Sequence, residues 1–157
     1  MKPSCNVASL IEHYFTERLM RQRNVSSNTV ASYRDTFRLL FTFAQARLRK
    51  PPSALSLNDL DAPFIGAFLT DLETTRGASA RTRNLRLTTI RSFFRFVSFE
   101  EPAHSALIQR VLAIPSKRHD KHRYGTENPK NLQNLGQHDR LASFLLALIL
   151  AFLQRIV

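Results

Sequence analysis

The stretch from Ala78 to Val97, ASARTRNLRLTTIRSFFRFV, constrains this chain more than any other. At about 100° per residue, Leu87, Ile90, Phe94 and Val97 share one stripe, with Phe93 at its edge. Arg81, Asn84, Thr88, Arg91 and Arg95 fall on the opposite side. The pattern predicts a helix with an aromatic-rich inner face and an arginine-lined outer face. Six arginines occur from Arg76 to Arg95 with no acidic residue among them. Ordinary soluble surfaces mix the two signs, so a face used only for solubility would carry interspersed acids. Within a chain of net charge +11, the unmixed face points to a polyanion.

The charge is not confined to a tail. Residues 1–115 carry 16 basic against 9 acidic side chains, and the remaining 42 residues carry 7 against 3. Nucleic acid is the first partner this balance indicates, and an anionic membrane surface the second. Twelve Phe and an apolar fraction of 43% are enough for a true core in a chain of 157 residues, which fits one domain with a tail. Cys5 is the single cysteine. It excludes an intramolecular disulfide and fits a cytoplasmic chain. The N-terminus lacks a basic-then-apolar signal pattern, and no run reaches the roughly 18–20 apolar residues of a membrane span.

The remaining periodicities are helical, and none alternates as a strand would. A first helix is expected from about Asn6 to Arg21, with Val7, Leu10, Ile11, Tyr14, Phe15 and Leu19 inward. Ser26, Ser27 and Asn28 offer caps for a second helix, whose first-turn N–H groups need acceptors. Its buried face runs through Val30, Tyr33, Phe37, Leu40, Phe41, Ala44 and Leu48 to a stop at Pro51-Pro52. Ser56 to Asp61 reads as a capping turn. Pro63 suits the first turn of a third helix carrying Phe64, Phe68, Leu69 and Leu72. Ser79 caps the arginine helix, which Glu100-Glu101-Pro102 ends, and a short fifth helix spans about Ala103 to Ala113. These elements predict an all-α, compact four- to five-helix orthogonal bundle. Three regions are expected: 1–115, the bundle; 116–139, a basic and polar disordered linker; and 140–157, an apolar tail helix. The tail reads as a buried helix of a missing domain, an interfacial helix, or sequence never selected to fold.

The order of these pieces resembles the N-terminal core-binding (SAM-like) domain of tyrosine recombinases, the phage-integrase family. LIEHYFTERLMRQRNVSSNTVASYRDTFRLLFTFA is similar to the opening helix pair, with Thr29, Ser32, Tyr33 and Phe41 as its frame. LNDLDAPFIGAFLTDLE resembles the third helix, SARTRNLRLTTIRSFFRFV the fourth, and IPSKR the start of the interdomain linker. The resemblance implies binding of double-stranded DNA in a clamp that a second, catalytic domain completes. It carries DNA contacts onto Ser27, Asn28, Thr29 and Ser32 of the second helix and Ser79, Arg81, Thr82, Arg83, Asn84, Arg86 and Arg91 of the fourth. Lys117 and Arg118 would follow the backbone along the linker. The chemistry agrees: guanidinium forks suit guanine or phosphate, and hydroxyls and helix N-termini suit phosphate oxygens. Arg83 projects toward the apolar side, where its stem would snorkel to the rim.

The family's chemistry uses a tyrosine nucleophile, arginines and a His-x-x-Arg element. His-x-x-Arg occurs nowhere in the chain, and too few residues follow position 120 to build a catalytic domain. Tyr14 and Tyr33 lie on expected core faces, and Tyr124 lies in the expected linker. The expectation is therefore a non-catalytic recombinase fragment, from a truncated or frameshifted gene or a natural stand-alone protein. It has no catalytic residue, metal, cofactor or small-molecule substrate; His119 and His122 lack a third ligand. Its partners are duplex DNA and, in one reading, intact recombinase protomers competing for the same half-sites. The rival reading is a basic membrane-surface or interaction module acting through residues 141–153.

Overall fold

The structure is a computed structural model that describes residues 6–22 and 25–118. They lie within one compact unit ending at Arg118. Cys5, Tyr124, His119, His122 and the apolar segment 140–157 lie outside the described residues. Among the described residues all regular structure is helical, as expected, and the only strand-like pairing is an isolated antiparallel bridge between Asn6 and Ser56.

Helix α1 spans Val7–His13 and starts where the Asn6 side chain accepts from the Ala8 N–H at 2.9 Å. The Asn6 amide also donates to the Ser53 carbonyl at 2.8 Å, tying the first helix to a loop 47 residues away. The helix expected to about Arg21 is present, but its second half is not α-helical. From Tyr14 to Gln22 the chain is a π-helix. The reason is the apolar spacing: Tyr14 and Leu19, five residues apart, are both buried. The i→i+5 geometry of a π turn stacks residues five apart, whereas α geometry would bring the cationic Arg18 beneath Tyr14.

Helix α2, Ser27–Leu48, is capped by Ser26, whose Oγ accepts from the Thr29 N–H. It ends at Arg49, which adopts the left-handed conformation (φ 55°) ahead of Pro51. The turn that follows is held by Asp59. Its carboxylate accepts from the Ser56 N–H and hydroxyl (2.9 and 2.8 Å) and from Lys50 Nζ at 2.8 Å. The Lys50 ammonium first, and then the Ser56 N–H, hold the Asp59 carboxyl below its ordinary pKa. Helix α3, Ala62–Thr74, begins with Asp61 accepting from the Phe64 N–H at 2.9 Å. Gly77, at φ 64°, supplies the left-handed residue that the turn into the next helix requires. Helix α4, Ala80–Glu100, is capped by Ser79. A short 3₁₀ turn at Pro102–His104 then leads into α5, Ser105–Leu112.

Helix α4 is the element on which the others converge; α2, α3, α5 and the π-helix all pack against it. Its inner face is wider than the sequence stripe, because Thr89 and Phe96 are buried beside Leu87, Ile90, Phe93, Phe94 and Val97. Phe93 sits at the meeting point of three helices. Its ring lies edge-to-face with Phe37 of α2 (5.3 Å) and Tyr14 of the π-helix (5.6 Å). The Tyr14 hydroxyl, buried with its ring, is bonded to Ser92 Oγ at 2.8 Å. A second aromatic group, Phe43 with Phe64 and Phe68, joins α2 to α3. Truncating Phe93 to alanine removes the shared contact of three elements. Urea unfolding should show a loss of about 3–5 kcal/mol with an unchanged m-value.

Candidate nucleic-acid interface

The two helix starts singled out by the sequence are brought side by side by one guanidinium. Arg86, in the second turn of α4, donates to the Ser32 carbonyl and to Thr36 Oγ1 of α2, each at 2.9 Å. Thr36 is buried, and its hydroxyl donates in turn to the same Ser32 carbonyl at 3.0 Å. Arg86 has no ion-pair partner among the described residues, so its charge is left to the field of this surface. Its role in the structure is a cross-helix tie between the second turns of α2 and α4.

Three further polar residues of α4 hold the chain that leaves the bundle. Asn84 reads the Lys117 peptide with both ends of its amide: Nδ2 donates to the Lys117 carbonyl at 2.7 Å, and Oδ1 accepts from the Lys117 N–H at 2.9 Å. Arg91 donates to the Ile114 carbonyl and to Ser116 Oγ. Arg83 is 8% exposed, so its guanidinium does not snorkel out to the rim. It donates to Asn84 Oδ1 (3.3 Å) and the Pro115 carbonyl (3.4 Å) and lies 3.6 Å from Glu73 of α3. The same Glu73 carboxylate accepts from Lys117 Nζ at 2.7 Å. A covered guanidinium without acceptors would be costly; the carbonyls of Pro115 and Ile114 accept from the terminal nitrogens of Arg83 and Arg91, while the Nε of each is buried without a hydrogen bond. The segment Ile114–Lys117 is thus clasped along α4.

What remains open is a narrower set. Ser27 and Asn28 are exposed at the start of α2. Thr29 and Ser26 share a hydroxyl–hydroxyl bond at 2.9 Å, as Ser79 and Thr82 do at 3.1 Å at the start of α4. Arg81 and Arg95 are exposed and make no ion pair among the described residues. With Thr88 they form a row at seven-residue spacing along α4, so they share a face. Arg118 is exposed at the end of the described chain, and Lys117 is committed to Glu73. Sequence reasoning placed Arg95 on the outer face but not among the contacts, and the Arg81–Thr88–Arg95 spacing was the available signal. It missed Glu73 and Thr36, whose partners lie 44 and 50 residues away and leave no local pattern. No group of three or more potential metal ligands occurs among the described residues.

This basic helical bundle matches the family of phage integrases through their N-terminal SAM-like domain, over residues 12–101. The chain belongs to the phage-integrase family. It is 60% identical over 118 residues to a Sinorhizobium fredii protein bearing the name integrase/recombinase y4rC, an alignment covering 75% of this chain and 36% of that one. A second protein of the same organism, integrase/recombinase y4rD, is 52% identical over 112 residues, covering 71% of this chain and 40% of the relative. The tyrosine recombinase XerC of Rhodospirillum centenum is 32% identical over 102 residues, covering 64% and 29%. The chain therefore spans roughly a third of the length of the curated relatives it matches. No solved structure matches it. Recombination is the business of this family, and the SAM-like domain is the part present in the bundle.

The clasp makes a direct prediction. Replacing Asn84 with alanine frees the Lys117 peptide, and limited trypsin cleavage after Lys117, followed by mass spectrometry, should accelerate about tenfold. Cleavage within α2, after Arg34 and Arg38, should keep its rate.

Proposed function

We propose that the bundle binds duplex DNA as the core-binding part of a tyrosine recombinase, gripping a recombination half-site, and does not itself cut the strand. The observation that carries this reading is the open row Arg81–Thr88–Arg95, lying on the helix that Arg86 ties to α2 at Ser32 and Thr36, next to the exposed start of α2. An α-helix fits the major groove, where arginine reads guanine, while hydroxyls and free helix N–H groups meet phosphates at its edges. In this assignment Arg81, Thr82, Ser79, Ser27, Asn28 and Thr29 face the DNA. Arg83, Asn84, Arg86 and Arg91 serve mainly by holding the face in shape, with the charge of Arg86 and Arg91 adding to its potential. Lys117 and Arg118 extend the cationic track where the chain leaves the bundle.

The non-cutting part of the reading rests on the tyrosines. A nucleophile must reach a phosphodiester amid several fixed cations. The Tyr14 hydroxyl is buried and bonded to Ser92, and Tyr33 is partly buried against the core, which supports a structural role for both. Bound without cutting, the chain would occupy half-sites and compete with intact recombinase protomers, in the cytoplasm where the DNA lies. The membrane-surface alternative draws on residues 141–153, which lie outside the described residues.

The test compares the full chain with Arg81→Ala and Arg95→Ala in gel shifts on a mixed-sequence duplex. Each substitution should weaken binding and lower the slope of log affinity against log salt by about 0.9, with the unfolding midpoint unchanged. The same mixtures on denaturing gels should show no protein covalently joined to DNA. Equal binding by all three proteins, or a covalent adduct, would contradict the reading.

A further inference from the structure

Leu85 and Phe99 are the two large apolar side chains that stand exposed among the described residues, Leu85 at 52%. Single exposed leucines are common on soluble proteins, and exposure alone says nothing. The place of this one does. Leu85 is one turn beyond Arg81 and one turn short of Thr88, on the outer face of α4, and residues 78–99 contain no acid. Every other polar side chain between Arg83 and Arg86 is engaged: Arg83 and Asn84 with the chain at Pro115 and Lys117, Arg86 with α2. Leu85 is therefore the one residue of that turn left facing outward with nothing to hold.

Arg81, Leu85 and Thr88 follow one another at helical contact spacing. From the first to the third is about 10 Å of helix axis at 1.5 Å per residue, close to three base-pair steps of about 3.4 Å. The Thr88 hydroxyl donates to the Asn84 carbonyl at 3.0 Å. Its oxygen and methyl remain to face outward. Such a row offers, in order, a guanidinium, an isobutyl group and a small mixed contact. In the major groove the feature that an isobutyl group recognises is the thymine C5-methyl, the one apolar point on that surface.

We propose that Leu85 is a specificity-determining residue that reads a thymine methyl in the major groove, next to a base pair contacted by Arg81. The inference rests on the duplex-binding reading above and adds to it a base preference and the residue responsible. Arg81 supplies attraction and a guanine contact; Leu85 gains only where a methyl group is present to be covered, so it discriminates without adding charge.

Deoxyuridine separates the methyl from everything else, since it pairs as thymidine does and lacks only that group. The full chain is used to select binders from a duplex library with a randomised core. Thymidines of the selected duplex are then replaced one at a time by deoxyuridine. At one position the replacement should weaken wild-type binding about three- to fivefold, the worth of one buried methyl-sized group. Leu85→Ala should bind both duplexes alike and leave the salt slope and the circular dichroism spectrum unchanged. Arg81→Ala should keep the methyl preference while binding more weakly overall. Indifference of the wild type to every replacement overturns the role of Leu85 while leaving duplex binding intact, as does a methyl preference that survives in Leu85→Ala. Failure to retain any duplex overturns the underlying reading as well.

Discussion

The edge-to-face packing of Phe93 against Phe37 and Tyr14 decides where α4 lies, and the outer surface of the bundle takes its direction from that helix. Three elements distant in sequence meet at one ring. Rotation of α4 would expose Phe93 or drive Arg91 inward, so the helix has one stable setting. The π-helical stretch is part of the same constraint. Only by widening the turn do Tyr14 and Leu19 both reach the core, and the Tyr14 hydroxyl finds Ser92 on α4. The aromatic core and the basic face are thus two sides of one helix.

The polar side of α4 is divided between two tasks. Arg83, Asn84, Arg86 and Arg91 are partly or wholly covered, and each is bonded to backbone carbonyls or hydroxyls of another segment. Their geometry is that of braces: Arg86 fixes α2 beside α4, and the others fix residues 114–117. Arg81, Leu85, Thr88 and Arg95 are exposed. This division suits recognition of a rigid polymer, because a reading row gains affinity and selectivity when the elements presenting it are already in place.

Much of the fold was legible from residue order. The helical periods of α2, α3 and α4 and the caps at Ser26, Asp61 and Ser79 are local, and local rules govern them. The resemblance to the phage-integrase domain was legible for the same reason, being carried by the order of those helices. The extent of the first helix is legible too, but its π winding after His13 is not, because Phe15 and Leu19 at a spacing of four also fit an α-helix. The roles of the arginines were harder. A helical wheel separates inward from outward, but it cannot tell a guanidinium that faces solvent from one that faces the returning backbone of residue 114. Asn84, whose amide suits adenine by residue type, is bonded instead to a peptide 33 positions away. That pairing depends on where the chain goes after α5, and no window of sequence contains it.

The central claim is that one face of this bundle, formed by the start of α2 and the outer row of α4, meets the DNA. Titrating a mixed-sequence duplex into the ¹⁵N-labelled full chain and following amide shifts addresses it residue by residue. The account predicts that the largest shifts fall on residues 27–32 and on Arg81, Leu85, Thr88 and Arg95, and fade as salt is raised. Shifts centred on α3 and α5, or a spectrum indifferent to DNA at low salt, would contradict it.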